Sequence, residues 1–255
     1  MDFIAVLSGF GVGAIIGMTG VGGGSLMTPL LLTVFKLNPA VAIGTDLWFA
    51  AITKTSGAVA HHRHDHVDYR IAGLLLAGSI PASLLTIGLM HFTGITKGWA
   101  SALTFSLGIA LLLTAVTVAY RQAWHTVGLR LERWIPASRK PALTVLSGVI
   151  LGVLVSLSSI GAGAIGATLI LLLHPRLEAR RLVGTDIAHA VPLTLVAGIG
   201  HATLGHINWG LLAALLLGSI PGIWLGAQLT RRMPDRLVRG LLCVSLVTAG
   251  LKVIY

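Results

Sequence analysis

The sequence predicts an all-α polytopic membrane protein with two inverted repeats of about five helical segments each, including short broken helices after glycine-rich loops. Three observations lead to this fold class: an apolar composition, a series of long apolar runs, and a motif set that recurs once. Of the 255 residues, 55% are hydrophobic and 10% are charged, and the mean hydropathy is +0.90. A soluble domain carries about 25% charged residues, so most of this apolar surface must face lipid.

The long apolar runs are each close to the ~20 residues that a helix needs to cross a bilayer. Two shorter runs, 25–35 and 164–174, each follow a glycine cluster. The most polar connection, 121–141, is the predicted linker between a first membrane repeat at 1–120 and a second at 142–255. The long runs are approximately 3–18, 39–60, 69–92, 98–120, 142–159, 179–203, 207–230 and 236–254.

Several motifs recur at an offset of 140 residues, which indicates an internal duplication of the kind common in secondary transporters. The glycine clusters at 20–24 and 161–163 align with a shift of one residue. The recurring segments are Gly44-Thr45-Asp46 with Gly184-Thr185-Asp186, Gly78-Ser79-Ile80-Pro81 with Gly218-Ser219-Ile220-Pro221, His61 with His201, His66 with His206, and Tyr69 with Trp209.

The orientation of the repeats depends on whether each short run returns the chain to its starting side. If it does, the repeats are inverted, and 14 basic loop residues lie on one side against 3 on the other. If each short run is re-entrant, the repeats are parallel and the split is 8 to 9. The positive-inside rule favours the inverted arrangement, with the linker cytoplasmic and both termini periplasmic.

The net charge of +10 does not indicate a nucleic-acid partner, because the basic residues lie in short segments between apolar runs, as in cytoplasmic loops. The predicted partner is the lipid bilayer. The sequence contains no Walker A, HExxH or GxSxG motif. Gly161 to Gly166 spells GxGxxG, but a dinucleotide fingerprint requires a preceding strand, and a membrane-length apolar run precedes this one. The chain is therefore predicted to be no enzyme and to hold no cofactor.

The two glycine loops are the predicted binding site for a small anion. A run of 11 residues covers about 16 Å as a helix, so its N-terminal loop lies at membrane depth, where irregular backbone must be buried or line a cavity. Free N–H groups at a helix N-terminus attract anions, and glycine exposes the backbone to them. The alternative is close helix packing through small residues. The candidate substrate-binding residues are Gly22, Gly23, Gly24, Ser25, Lys54, Ser159, Gly161 and Gly163.

Asp46 and Asp186 lie within long apolar segments, where a carboxylate usually faces a cavity or a partner. With the preceding Thr45 and Thr185, they could handle protons or make structural hydrogen bonds to loop backbone. His189 lies three residues after Asp186, on the same helix face, so the two could share a proton unless His189 is a packing residue.

Lys54 is the one basic residue deep in an apolar run. It could pair with Asp46, meet an anionic substrate, or extend to the membrane interface. The segment 61–66, HHRHDH, has the composition of a metal cluster, but it lies in a predicted loop where histidines usually face water. No metal site is therefore predicted. His201 and His206 lie at the matching point of the second repeat, so these histidines could mark the mouths of a pathway.

The segment 20–29, GVGGGSLMTP, followed by Gly44-Thr45-Asp46, resembles the TauE/SafE sulfite exporter family, and 161–163 followed by Gly184-Thr185-Asp186 is similar to its second glycine segment. The resemblance covers nearly the whole chain and implies export of sulfite or an organosulfonate across the bacterial inner membrane. Two departures are the Gly-Ala-Gly-Ala of the second loop and the Asp after Gly-Thr, where many members have a small polar residue. A negative charge near an anion site must be protonated or paired, so the Asp residues favour proton coupling.

The leading hypothesis is a secondary transporter that exports a small anion, with sulfite or an organosulfonate as substrate and a proton as the candidate coupling ion. The alternatives are an anion channel, a cation or metal transporter that uses the buried acids and histidines, and a membrane scaffold without transport activity. The oligomeric state stays open, and a homodimer is one arrangement compatible with the sequence.

Overall fold

The chain folds into membrane-length helices joined by short connections. The structure is a computed structural model and describes residues 3–19, 24–63, 65–93, 97–229 and 235–254. All regular structure in these ranges is helical, which confirms the all-α prediction. The helices are α1 Phe3–Thr19, α2 Gly24–Thr33, α3 Pro39–Arg63, α4 Tyr69–Thr93, α5 Lys97–Ala119, α6 Arg121–Glu132, α7 Lys140–Ser158, α8 Ala164–Leu173, α9 Ala179–Thr203, α10 Trp209–Leu229 and α11 Asp235–Ile254, with a 3₁₀ turn at Ala137–Arg139.

Five segments among the described residues are long and apolar enough to cross a membrane. The short helices α2 and α8 have 10 residues each, or about 15 Å at 1.5 Å per residue, which is about half of a hydrocarbon core. Their length agrees with the prediction of broken helices after the glycine clusters. The candidate spans are Tyr69–Thr93, Ser101–Ala119, Ala137–Ser158, Ala179–Thr203 and Trp209–Gly226.

The two halves of the chain pack against each other through equivalent contacts. Helix α1 packs along α10, and α7 packs along α4. A Cβ added at Gly9 would lie 2.2 Å from the carbonyl oxygen of Leu215, and one added at Gly148 would lie 2.2 Å from that of Leu75. These contacts correspond through the sequence repeat, since Leu215 follows Leu75 by 140 residues and Gly148 follows Gly9 by 139. Both helix pairs therefore use glycine to bring one backbone against the other.

Helices that correspond in the two halves cross in opposite directions. Gly44, early in α3, lies beside His201, late in α9, with 3.1 Å between its added Cβ and the His201 Cβ. Further along α3, Trp48 lies 3.2 Å from the added Cβ of the earlier residue Gly198. Inverted repeats require antiparallel crossing of equivalent helices, whereas parallel repeats require parallel crossing. The inverted arrangement stays a prediction that these contacts support. The matching contacts between α5 and α11 are Leu111 with Gly250 and Ala115 with Cys243.

Helix α6, in the first part of the linker, packs against the second half of the chain. Gly128 of α6 lies against α8, where an added Cβ would be 2.7 Å from the carbonyl oxygen of Leu171. Glu132 accepts from Lys140 at 3.0 Å and from Arg176 at 2.9 Å. The hydrogen bond from Lys140 and the nearby positive charges lower the pKa of the Glu132 carboxyl. The linker therefore connects α6 to the start of α7 and to the α8–α9 connection.

We expect Gly218→Ala to lower the midpoint of thermal unfolding in detergent. The added Cβ would lie 1.9 Å from the carbonyl oxygen of Val6, so α1 and α10 must move apart. Overpacking costs about 1–3 kcal/mol, and each kcal/mol lowers the midpoint by roughly 2–4 °C for a chain of this size. The matched control is Gly73→Ala in α4, where an added Cβ meets nothing within 4 Å. Equal midpoints for the two variants would contradict the close approach of α1 and α10.

Candidate functional site

The loop between α7 and α8 is a buried break in the second half. Ser159 has φ 59°, and Gly161 and Gly163 have φ of 126° and 148°, so the backbone leaves the helical conformation here. Gly163 is the N-cap of α8 and makes no side-chain capping bond. The first N–H groups of a helix have no partner within it. The backbone N–H of Gly166 donates to the carbonyl oxygen of Gly161 at 2.8 Å, so the loop itself satisfies part of the first turn of α8. The predicted second glycine loop therefore places a partly capped helix N-terminus inside the protein.

The first glycine loop was predicted as the counterpart of this break. Gly22 and Gly23 lie outside the described residues. Gly24 begins α2, and the side chain of Ser25 is likewise outside the described part of the structure. Thr28 in α2 is fully buried. Among the described residues, the segment that follows the first glycine loop therefore contributes α2 to the site.

Helix α3 brings a cation and a carboxylate to the break. The Nζ of Lys54 donates a hydrogen bond to the carbonyl oxygen of Ala162, in the loop between α7 and α8. One oxygen of the fully buried Asp46 accepts from the hydroxyl of Thr28 in α2. Ser159 lies beside the same carboxylate. Helix α3 therefore connects α2 of the first half with the broken helix of the second.

Helix α9 supplies the second carboxylate and an imidazole. Asp186 lies against α8 at Gly166, where an added Cβ would be 2.3 Å from Oδ1. His189 is hydrogen-bonded through Nε2 to the hydroxyl of Ser79 at 3.0 Å. Among the described residues, no hydrogen bond joins Asp186 to His189. The predicted shared proton would therefore need a rearrangement or an intervening molecule.

Lys54 lies within electrostatic range of both Asp46 and Asp186. Neither carboxylate comes within ion-pair distance of its Nζ in the described part of the chain. The site therefore combines one positive group with two acidic groups, and the ammonium group is directed at a backbone carbonyl. Such an ammonium keeps hydrogen-bonding capacity for a second acceptor, because it carries three donors.

Several buried polar atoms around this cluster have no hydrogen-bond partner among the described residues. Buried polar groups are nearly always paired with protein or water. Unpaired atoms that surround one charged group therefore provide capacity to bind a ligand, a proton or water. These atoms are Asp46 Oδ1, Ser159 Oγ, Asp186 Oδ1 and His189 Nδ1.

The threonines of the Gly-Thr-Asp motifs face the opposite half of the chain. The hydroxyl of Thr45 accepts the backbone N–H of Asn208 at 3.1 Å, and that of Thr185 accepts the backbone N–H of Asp68 at 2.9 Å. Asn208 follows Asp68 by 140 residues, so the two bonds are equivalent in the repeat. Each threonine joins its helix to the residue before a helix of the other half. The adjacent aspartate belongs to the cluster around Lys54.

A second group of hydrogen bonds leads from the centre toward the α9–α10 connection. The buried His201 donates through Nε2 to the carbonyl oxygen of Ser156 at 2.9 Å. The Ser156 hydroxyl lies 2.7 Å from that of Ser83, one helical turn from Ser79. The rings of His201 and His206 are 5.5 Å apart. Polar groups therefore continue from His206 inward to the neighbourhood of His189.

In the predicted histidine loop, the side chains of His61 and His64 lie outside the described residues. His62 contacts the hydroxyl of Tyr69 through Nδ1. No group of three metal-ligating side chains was found among the described residues.

Sequence reasoning missed four participants in the central cluster. Thr28 lies in the first glycine motif, and Ser79 lies in the recurring Gly-Ser-Ile-Pro segment, so both were near a visible signal. Gly166 was noted only as part of the rejected dinucleotide pattern. Ala162 contributes a backbone oxygen, which no residue pattern reveals.

Comparison with known proteins gives one family over most of the chain. The family model described as "Sulfite exporter TauE/SafE" matches residues 5–253. "Probable membrane transporter protein YjnA" of Bacillus subtilis is 39% identical over 257 residues, covering 100% of both chains. "Probable membrane transporter protein YdhB" of the same organism is 27% identical, covering 99% of this chain and 100% of the relative. "Probable membrane transporter protein MJ0441" of Methanocaldococcus jannaschii is 24% identical, covering 97% and 93%. No solved structure matches the chain with significance.

Proposed function

Because the chain belongs to the sulfite exporter TauE/SafE family and is a multi-pass membrane transporter, we propose that it carries a small sulfur oxyanion or sulfonate by proton-coupled secondary transport across the bacterial inner membrane. Export is the proposed direction, as the family description suggests. The family is one of membrane transporters, which agrees with the prediction that the chain is not an enzyme.

The contact between Lys54 and the α7–α8 break carries this proposal. The Lys54 ammonium lies at the carbonyl of Ala162, immediately before Gly163, the N-cap of α8, which makes no side-chain capping bond. A cation beside a helix N-terminus is a favourable environment for an oxyanion. A sulfonate or sulfite presents three oxygens to such donors. The anion would accept from Lys54 and from the α8 backbone at the same time.

The net charge of Lys54, Asp46 and Asp186 makes anion binding depend on the protonation of the two carboxylates. With Lys54 charged and both Asp46 and Asp186 ionised, the cluster carries one net negative charge and repels an anion. Protonation of one carboxylate makes the cluster neutral, and protonation of both makes it positive. By reciprocal linkage, an anion that binds the protonated cluster more tightly also increases its affinity for protons. Anion and proton would therefore cross together, and export in this mode would be driven by the outward concentration gradient of the anion.

The polar groups that lead from His206 to His189 offer a route for that proton. His201 and His189 are buried imidazoles with hydrogen-bonded Nε2 atoms, and Ser83 and Ser79 lie between them on one face of α4. An imidazole can accept a proton at one ring nitrogen while it releases one from the other. Alternating access would follow from rocking of the half that carries α3 against the half that carries α9.

The test is flux in proteoliposomes that contain the purified protein. A small sulfonate is the primary probe because it stays ionised across the tested pH range, and sulfite, thiosulfate and sulfate are compared with it. We expect saturable flux that a proton gradient in the same direction accelerates. Flux without saturation or pH dependence would instead indicate an anion channel. Flux of metal cations without anion flux would overturn the proposal.

A further inference from the structure

Helix α6 and the residues that flank it carry an apolar stripe that is exposed in part within the described chain. Tyr120, Val127, Leu131 and Trp134 follow helical spacing and form one stripe. Their side chains are 61%, 37%, 36% and 86% exposed. Gly128, about 60–120° from these residues around the helix, packs on α8. The stripe therefore lies to one side of the face that packs on α8.

The position of α6 places this stripe at the membrane surface. Helix α6 follows the candidate span that ends at Ala119 and precedes the one that begins at Ala137. It therefore lies at the level where two spanning helices leave the hydrocarbon core. Tyrosine and tryptophan concentrate at this depth, and an amphipathic helix there lies in the plane of the headgroups.

A cavity of about 600 Å³ opens between α6, the end of α8 and the start of α9. Its walls differ in chemistry. Helix α6 contributes hydrogen-bonding side chains, and α8 and α9 with their connection contribute apolar side chains, so the cavity is amphiphilic. The residues that define the two walls are Arg121, Gln122 and His125 on one side and Leu171, Leu177 and Leu182 on the other.

Arg121 is the cation available in this cavity. Glu132, the acidic residue of α6, is already paired with Lys140 and Arg176. The Nε2 of His125 donates to the carbonyl oxygen of Pro175 at 3.2 Å. Arg121 forms no ion pair among the described residues. Its guanidinium can therefore bind an oxyanion through two parallel hydrogen bonds.

We propose that this cavity binds the phosphate of an anionic phospholipid from the leaflet on the side of the linker. Arg121 holds the phosphate, Gln122 donates to it, and the glycerol and the start of an acyl chain lie along Leu171, Leu177 and Leu182. Basic pockets between membrane helices select anionic headgroups in this way. A soluble anion would leave the apolar wall in contact with water.

A lipid bound here would contact α8 and α9, the two helices that extend from the cavity to the candidate site. The cavity lies between the end of α8, whose N-terminus is at the glycine break, and the start of α9, which carries Asp186. A bound lipid would connect both to α6. This inference rests on the cavity and on α6, and it stands whatever the transported anion is.

Native mass spectrometry of the purified protein in detergent tests the inference. The probes are phosphatidylglycerol and phosphatidylcholine at equal concentration. We expect several-fold greater retention of phosphatidylglycerol by the unchanged protein, and loss of this preference in Arg121→Gln. The matched control is Arg133→Gln, which removes the same charge at the end of α6, away from the cavity, and should keep the preference.

A second variant, Ala179→Trp, fills the cavity from the start of α9 without removing a charge and should also lose the preference. Equal effects of Arg121→Gln and Arg133→Gln would overturn the site, because they would indicate general surface charge. Displacement of phosphatidylglycerol by millimolar inorganic phosphate would also overturn it, since the occupant would then be a soluble anion. Unchanged lipid preference in Ala179→Trp would exclude the cavity as the place of binding.

Discussion

Anion flux through the Lys54→Gln variant is expected to fall about 10- to 150-fold, because a hydrogen bond to a charged group contributes about 1.5–3 kcal/mol. The substitution removes the one positive charge of the cluster while Asp46 and Asp186 stay. A bound anion then loses its ammonium donor and meets only acidic groups. The measurement is uptake or efflux of a labelled sulfonate by proteoliposomes with a fixed proton gradient.

Two further variants separate a binding role for Lys54 from a structural one. Lys252→Gln removes the same charge from an exposed position in α11 and should leave the flux unchanged. Lys54→Arg keeps the charge and the bond to the carbonyl of Ala162, and should recover part of the flux. If Lys54→Gln transported normally while its thermal stability fell, the side chain would serve only to hold α3 against the α7–α8 loop.

Gly166→Ala is expected to uncouple transport from the proton gradient. The added methyl group would lie 2.3 Å from Oδ1 of Asp186, so the carboxylate must rotate or α8 must move away from α9. A steric cost of about 1–3 kcal/mol on one protonation state corresponds to a change of roughly 5- to 150-fold in coupling. The measurement is the ratio of sulfonate flux with and without a proton gradient.

A double-mutant cycle shows whether Gly166 acts through Asp186. In an Asp186→Ala background, the carboxylate is absent and Gly166→Ala should have no further effect on the flux ratio. The matched control is Gly88→Ala in α4, where an added Cβ meets nothing within 4 Å. An undiminished effect of Gly166→Ala in the Asp186→Ala background would mean that it acts through the loop, for example through the carbonyl of Gly161.

The proposed site could be predicted in part because each half repeats the same signals. The second glycine loop was located from its glycines and from the short apolar run that follows it, and α8 begins directly after the loop. Asp46, Asp186 and Lys54 were identified because a charged side chain within the membrane costs free energy. Such a residue therefore usually has a functional or structural role. The partners of these residues were not predictable. Ser79, the hydrogen-bond partner of His189, is 110 residues away in the sequence.

The sequence by itself determined the membrane class, the apolar helical segments, the duplication and the family, because these depend on composition, run length and the spacing of recurring motifs. It did not predict α6, which lies in the polar linker. Only the tertiary structure decided that Lys54 meets Ala162, that Asp186 lies against Gly166 and that α6 packs on α8. These contacts join residues from different helices, and glycines that allow close backbone approach bring such helices together. The length of an apolar run follows from the thickness of the bilayer, so each membrane helix can be predicted from its own residues. Which helices pack together depends on complementary surfaces on two segments, and neither segment shows this by itself.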